Sequence, residues 1–246
     1  MRNSKSILLL TFFTLSMLLG NAQKKKVAVI TFYADKTIDL SGLSASADLI
    51  AKNTKLSDDP NFNLTEPLKK LHTAFFSEYS KNFDFEIIDE KEVLSNEAYQ
   101  AFEPTYNEGK SLITNIETTT SIEGYKIIPS YRQNVKDLKG VAEALGVDAI
   151  MFVKLSFGFV KTGIGNLGYV SVQARYSMDL FSKDNNSIFQ FNEIAGSKKK
   201  AAMVGGIPIM KTEKIQPMCE SAVEKLMKDL NKKVQRLAKK ANKKLK

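Results

Sequence analysis

The glycine-rich segment from Gly163 to Gly168, GIGNLG, has the GxGxxG spacing of a dinucleotide-binding loop. Such a loop holds a pyrophosphate only where a strand leads into it and a helix follows, because the helix N-terminus supplies the N–H groups. The next residues, YVSVQARYSMDLF, alternate between polar and apolar with a period of two, which predicts a strand. We therefore interpret the glycines as a hairpin loop and expect no cofactor.

His72 is the only histidine of the chain, so a Ser-His-Asp or Cys-His site would have to use it. It lies in an apolar stripe between Leu68 and Phe76, and the sequence around it has no nucleophile pattern such as GxSxG. We interpret it as a half-buried packing residue with one hydrogen bond, and we expect no catalytic residue. The sequence also lacks the His and Cys clusters, or carboxylates at ligand spacing, that a metal site requires.

Asp89, Glu90 and Glu92 form the densest acidic group, directly after a predicted strand. Strand ends are where α/β proteins often hold their sites. Helix capping explains two of the three, because Asp89 can accept from the first N–H groups of a helix and Glu92 can reach back as in a capping box. We favour the capping interpretation and keep a hydrolase that uses carboxylates near Asp89 as an alternative function.

The N-terminal residues have the pattern of an export signal. Arg2 and Lys5 precede an uncharged run from Ser6 to Gln23, and Gly20-Asn21-Ala22 gives the small-x-small pattern that a signal peptidase requires. The pattern predicts cleavage between Ala22 and Gln23. An uncleaved anchor is the alternative, since the run is near the roughly 18 residues that span a bilayer. No cysteine stands at its end to accept a lipid.

The positive charge of the chain is concentrated at its C-terminal end. The net charge is +9, of which Arg2 and Lys5 belong to the predicted signal and eight basic residues, with no acidic one, fall between 231 and 246. The remaining body, 23–230, has a net charge of −1. The candidate contacts to an anionic surface are Lys232, Lys233, Arg236, Lys239, Lys240, Lys243 and Lys244.

This basic segment has three interpretations. We favour a solvated face of an amphipathic helix whose apolar stripe packs on the domain. A contact to anionic lipid or cell-wall polymer is the second, and it suits an exported protein. Nucleic-acid binding is the third, but the export signal and the absence of interleaved aromatic residues argue against it, so we expect no nucleic-acid partner.

Composition indicates a folded protein without intramolecular disulfides. Hydrophobic residues make up 43% of the chain, which excludes a disordered protein. The single cysteine, Cys219, cannot form an intramolecular disulfide, and we expect it to be buried.

The first half of the chain predicts a β-α-β unit. Val27 to Tyr33 is a continuous apolar run, typical of a strand that is buried on both faces. A polar segment, 35–63, follows, with room for a short helix around 45–51. A helix capped by Thr65 then carries an apolar stripe as far as Phe83, and a second strand, 83–88, completes the unit.

The second half predicts a further helix and strand, and then a meander. A helix over 135–145 ends at Gly146 and leads into a strand at 147–153, whereas the weakly patterned segment 96–132 is an insertion. The runs 151–160, 169–181 and 187–194 predict antiparallel strands with one wet face, and a long helix starts near Met218. We expect an α/β fold: a single domain over 23–230 with a mixed sheet covered by helices, an antiparallel meander in the C-terminal half and a long C-terminal helix, whose basic end is 231–246.

Three segments resemble the α/β domain shared by the CsgG, LpoB and TolB N-terminal group of bacterial envelope proteins. They are VAVITF (27–32), FEIID (85–89) and AEALGVDAIMFVKL (142–155), in the same order of elements. The GNAQ end of the signal is similar to that of exported proteins of the Bacteroidota. The resemblance implies a non-catalytic protein of the periplasm or outer membrane that works by contacts with envelope proteins and often forms homo-oligomers. The chain departs from the group in having no lipid-anchor cysteine, and LSFGFVKTGIGNLGYVSVQARYSMDLF is its only candidate for a membrane hairpin.

Overall fold

The computed structural model describes residues 24–43, 56, 59, 61–106, 118–129, 131–163, 168–184, 186–204, 207–208 and 212–245. The predicted signal, its cleavage point at Ala22 and Gln23, and the predicted helix near 45–51 lie outside these residues. The elements, in chain order, are β1 (Lys26–Asp39), α1 (Thr65–Ala74), β2 (Glu86–Ile87), α2 (Glu90–Ser95), α3 (Glu97–Ala101), β3 (Thr119–Ser121), α4 (Tyr131–Ala144), β4 (Ala149–Thr162), β5 (Gly168–Ser182), β6 (Ser187–Gly196), β7 (Ala201–Val204), β8 (Ile207–Pro208) and α5 (Thr212–Lys244).

The strands form one mixed sheet of eight strands. β1 lies between β2 and β4 and is parallel to both, which confirms the predicted β-α-β unit. β4, β5 and β6 pair antiparallel in sequence order, which confirms the meander. β3 pairs with β1, and β7 pairs with the first residues of β5.

Helices cover both faces of the sheet, as the sequence predicts. One core lies between the sheet and helices α1 and α5, and the other lies between the sheet and helices α2, α3 and α4. Successive residues of β1 point into different cores: Val27 and Val29 into the first, Ala28 and Ile30 into the second. A strand that is buried on both faces needs apolar residues at every position, and this explains the continuous run.

The two longest predicted helices begin at other residues than expected. Thr65 is the first helical residue and Leu64 is the N-cap, and the Asn63 side chain accepts the Thr65 N–H at 2.8 Å. Helix α5 begins at Thr212 and not near Met218, and it contains Pro217. Pro217 is the sixth residue of this helix of 33, so it lies past the first turn and removes the backbone hydrogen bond that its N–H would give to the Glu213 carbonyl.

Two strand boundaries also differ from the prediction. β1 continues to Asp39, past the predicted start of the polar segment at Asp35, because β4 is long enough to pair with it beyond a register shift between Ala34 and Ile38. β2 has two residues instead of six, since Phe83 and Phe85 leave the sheet edge to stack on each other at 4.7 Å in the core.

Two other local predictions are confirmed, and that of a wet face on β5 is wrong. Gly146 has a φ of 62°, the left-handed conformation expected just after a helix. Cys219 is buried, and burial raises the pKa of its thiol. The apolar face of β5 is buried, but its polar face is only partly exposed rather than wet, and Ser171 is buried. β4 and β5 form a hairpin across Gly163 to Gly168, of which 164–167 lie outside the described residues.

Candidate functional site

The outer edge of β6 is the most extended unpaired backbone in the described part of the chain. β6 pairs with β5 on one side, and no described strand pairs with the other. Just beyond β6, Ser197 N–H donates to Val172 O at 2.7 Å, which sets the alternation of the ladder. Counting back from this pair, the residues whose N–H and C=O groups point outward, away from β5, are Gln190, Asn192, Ile194 and Gly196.

Apolar side chains accompany this edge on both faces of β6. Phe189 and Phe191 are half-buried, and Phe191 reaches the gap beside Leu230 and Leu237 of α5. On the opposite face Ile194 is 50% exposed, beside Arg175 of β5. An edge strand with exposed backbone groups and apolar side chains is a template for pairing with another chain.

Helix α5 crosses β6 and is fixed to it by an ion pair. Lys233 Nζ lies 2.6 Å from Glu193 Oε1, and Glu193 is buried. Of the seven predicted contacts to an anionic surface, Lys233 therefore has a partner within the protein. The other six are exposed, and no described ion pair engages them: Lys232, Arg236, Lys239, Lys240, Lys243 and Lys244.

Four of these six residues form one line, which we call the basic stripe: Lys232, Arg236, Lys239 and Lys243. At 100° per residue they fall within about 60° of one another around the helix axis. They lie opposite the buried residues Leu230, Leu237 and Ala241. The apolar side of α5 is used in the core, so the stripe offers charge to a partner but no apolar surface for insertion into a bilayer.

The structure brings His72 together with one member of the acidic group, Glu90. His72 is 17% exposed; its Nε2 lies 2.6 Å from Glu90 Oε1, and its ring meets Phe32 edge-on at 5.0 Å. The prediction of a half-buried packing residue with one hydrogen bond matches this geometry. Asp89 accepts the Lys91 N–H at 2.7 Å as a helix cap, which confirms the capping interpretation for this residue. Within the described ranges, no group of three His, Cys, Asp or Glu side chains could hold a metal ion.

A pocket of about 260 Å³, which sequence reasoning missed, lies between the start of α4 and the sheet. Lys154 of β4 and Asp179 of β5 form part of its floor, and Arg132 of α4 forms part of its wall. The signal that could have found it is the lysine inside the apolar run AIMFVKLSF, because a charged residue in a two-sided buried strand needs a local reason. We call it the Lys154 pocket.

Burial changes the protonation equilibria of the two charged groups on its floor. Burial lowers the pKa of Lys154, and the nearby carboxylates of Asp35 and Asp179 partly oppose this. Burial raises the pKa of Asp179, and the Lys154 charge partly opposes that. Partly desolvated charges of both signs in one concave site are a feature of ligand-binding sites.

Comparisons with known proteins add little to this geometry. No protein-family model and no curated protein matches the sequence. The fold is similar to the LpoB C-terminal domain from Salmonella enterica, with a TM-score of 0.32, 12% identity, and coverage of 73% of this chain and 89% of that one. It is also similar to the hypothetical protein CT253 from Chlamydia trachomatis, with a TM-score of 0.28, 14% identity, and coverage of 88% and 98%. LpoB belongs to the group named from sequence, but TM-scores this low support no argument about function.

No helix in the described ranges is long and apolar enough to cross a membrane. The longest, α5, carries charged residues along its whole length.

Proposed function

We propose that the protein is an exported, non-catalytic envelope protein that binds an extended, acidic segment of another protein along the outer edge of β6. Export rests on the predicted signal. The observation that supports binding is the row of outward N–H and C=O groups along the ten residues of β6, flanked by half-exposed aromatic side chains.

Strand addition suits this edge for geometric reasons. Ten residues extend over about 34 Å, enough to hold a partner segment by several backbone hydrogen bonds. The backbone bonds supply affinity, whereas side chains on the two faces of the added strand decide which segment fits. Phe191 on one face and Ile194 on the other offer apolar contacts to alternate residues of such a segment.

The acidic character of the partner follows from the position of α5. The ion pair with Glu193 places the Lys233 side of α5 against β6. Lys240 lies two helical turns further along that same side and is exposed. An exposed cation next to a binding edge attracts carboxylates and speeds their association. The basic stripe lies about 90° from Lys233 round α5, where Lys239 and Lys243 line a cavity with Asp84. Lys240 is therefore the cation that supports an acidic partner at the edge.

Substitutions at Gln190 test this proposal, because its N–H points outward and its side chain is exposed. Proline at this position removes an outward donor but no bond to β5, so the fold tolerates it. The purified protein is used to select from a displayed library of random extended segments. We expect acidic segments to be enriched, and Gln190→Pro to weaken their affinity by about tenfold or more, as the loss of backbone pairing implies.

Gln190→Ala is the matched control, since it removes the same side chain and keeps the N–H. It should bind the selected segments like the wild type. Equal affinity of the two variants, or enrichment of neutral or basic segments, contradicts the proposal. A dimer that dissociates on dilution and is lost in Gln190→Pro, without any segment bound, would replace the acidic segment by a second copy of this chain.

A second candidate function, contact with an anionic lipid or cell-wall polymer, is favoured by the basic stripe. Each lysine or arginine near an anionic surface contributes about 1 kcal/mol, so four glutamine substitutions in the stripe should weaken binding to phosphatidylglycerol vesicles by about 4 kcal/mol at low salt. Co-sedimentation with the vesicles measures this. Deleting the helix end is unsuitable, because Leu237 and Ala241 belong to the core.

The control for the stripe variant changes four exposed lysines elsewhere to glutamine and so reaches the same net charge. These are Lys69, Lys70, Lys136 and Lys139. It should bind the vesicles nearly as well as the wild type. Equal losses in the two variants would show a dependence on net charge alone and would remove the stripe as a site.

A further inference from the structure

The Lys154 pocket is lined neither by β6 nor by the basic stripe, but two of its residues lie opposite β6. Asp179 pairs with Gln190, and the Ser177 hydroxyl donates to Asn192 Oδ1 at 2.7 Å. Three strands and one helix form the pocket: β4 and β5 give the floor, β1 contributes Tyr33, and the first turn of α4 with the residues before it gives the wall. Its volume of about 260 Å³ is below the roughly 300–1,000 Å³ typical of pockets for drug-sized ligands, so it suits a ligand the size of a single amino acid.

The charged groups of the pocket balance in sign. Lys154 and Arg132 are cationic, and Asp179 is anionic. Asp35, which is buried and does not line the pocket, lies close enough to Lys154 to act on its charge. Two positive and two negative groups leave no net charge, and neither Arg132 nor Asp179 forms a described ion pair. A ligand with a net charge would leave one of these groups without compensation, whereas a zwitterion matches both signs.

The remaining lining is aromatic and rigid. Tyr131 stacks on Phe181, with ring centroids 4.0 Å apart and planes within 4°, and Phe152 meets both rings edge-on. The Tyr33 ring lies under the Lys154 ammonium group, with Nζ 5.6 Å from the ring centroid, and this cation–π contact fixes the position of the ammonium group. These rings give an apolar wall on which a hydrocarbon side chain can pack.

We propose that the Lys154 pocket binds a small zwitterion of the α-amino-acid type. The ligand carboxylate lies toward Lys154 and Arg132, its ammonium group lies toward Asp179, and its side chain packs on Tyr131 and Phe181. Both charged ends are required, because each neutralises a group that burial already makes costly to keep charged. The backbone of β6 has no part in this site.

Three probes of one shape test the proposal: L-leucine, 4-methylpentanoate, which lacks the ammonium group, and 3-methylbutylamine, which lacks the carboxylate. Binding to the mature chain is followed by NMR shifts of amides that line the pocket. We expect leucine to bind, and each of the other two to bind about tenfold more weakly or worse, the effect of losing one charge-assisted contact.

Two variants identify the groups that contact the ligand. Asp179→Asn should bind leucine and 4-methylpentanoate with equal affinity. Arg132→Gln should bind both of these ligands more weakly than the wild type and should bind 3-methylbutylamine with unchanged affinity. Lys139→Gln, on the same helix as Arg132 but outside the pocket, is the control and should bind like the wild type. A cooperative thermal unfolding transition is required of each variant as the check that it is folded.

Absence of leucine binding, equal affinity for the three probes, or an Asp179→Asn variant that still discriminates between leucine and 4-methylpentanoate overturns the proposal. Gln190 lies opposite Asp179 in the sheet, so Gln190→Pro alone does not separate the two sites. The acidic-segment experiment is therefore repeated with Arg132→Gln, a variant on α4 that should bind the segments like the wild type. Loss of segment binding with leucine binding retained, or the reverse, separates the two sites.

Discussion

Replacing Lys233 with methionine is expected to lower the free energy of unfolding by about 2 kcal/mol. The Glu193 side chain is 10% exposed, and its Oε1 lies 2.6 Å from Lys233 Nζ. Removing the lysine leaves a buried carboxylate without a counter-charge, which in a fully buried pair costs about 3–5 kcal/mol. Lys233 itself is 38% exposed, so water replaces part of the lost interaction and the effect is smaller. Urea denaturation at neutral pH measures the difference.

Lys232→Met is the matched control, because it removes the same charge one residue away from an exposed side chain with no described ion pair. It should change stability by less than about 0.5 kcal/mol. Adding Glu193→Gln to Lys233→Met should recover most of the loss, since the cost arises from the unpaired carboxylate. If Lys232→Met and Lys233→Met lowered the free energy of unfolding equally, total charge, and not the contact of Lys233 with β6, would determine the effect.

The fold could be predicted from local patterns wherever a local pattern decides the structure. A continuous apolar run at 27–33 predicts a strand buried on both faces, and residues 27–33 are buried. A glycine directly after a periodic segment predicts a helix end, and Gly146 has the left-handed conformation of one. The predicted strand boundaries were wrong where pairing or packing with a distant part of the chain determines them. β1 extends to Asp39 because β4 pairs with it, and the predicted second strand shrinks to Glu86–Ile87 because Phe83 and Phe85 pack in the core.

The candidate sites depended even more on distant partners. The sequence shows eight clustered cations, but only the structure shows that Lys233 meets Glu193, 40 residues earlier in the chain. Nothing in the local pattern of SIFQFNEI says whether the strand lies at an edge or inside the sheet, because the alternation is the same for both. The Lys154 pocket joins residues from three strands and a helix, and only the lysine within an apolar strand signals it.

A second large effect is expected at Tyr99, which is 1% exposed and bridges two backbone segments. Its hydroxyl donates to Ile30 O at 2.8 Å and accepts from Lys126 N–H at 2.9 Å. Ile30 is the extra residue at the register shift in β1, between Val29 and Thr31, so its carbonyl depends on a partner outside the β1–β4 ladder. The tyrosine thus satisfies a β-bulge and fixes the segment that leads into the Lys154 pocket.

Tyr99→Phe leaves the buried Ile30 carbonyl and the partly buried Lys126 N–H without that partner, so we expect a loss of about 2–3 kcal/mol in the free energy of unfolding. Tyr106→Phe is the control: its hydroxyl donates one bond, to Ile127 O at 3.0 Å, in a partly buried position, and the loss should be about 1 kcal/mol or less. Hydrogen exchange should accelerate at the Lys126 amide in the first variant only. Similar losses in the two variants would contradict the bridging role of Tyr99.

The pH dependence of the Tyr99→Phe effect gives a further check. Burial raises the pKa of Tyr99 from 10.0 to about 12, although the Lys126 N–H opposes this. The folded state therefore favours the protonated hydroxyl, whose contribution is fully present below pH 10 and declines as pH rises toward about 12. The stability difference between wild type and Tyr99→Phe should narrow over this range.

The same substitution connects the core to the proposed ligand site. Ile128 and Pro129, two and three residues after Lys126, line the Lys154 pocket. The Thr31 hydroxyl also donates to Lys126 O at 2.7 Å, so both backbone groups of Lys126 are held: its C=O directly by β1, and its N–H by Tyr99 of α3. Releasing the Lys126 N–H loosens one of these bonds and lets the pocket wall shift. Leucine affinity should then fall in Tyr99→Phe, whereas in Tyr106→Phe, where both bonds to Lys126 remain, it should stay close to that of the wild type.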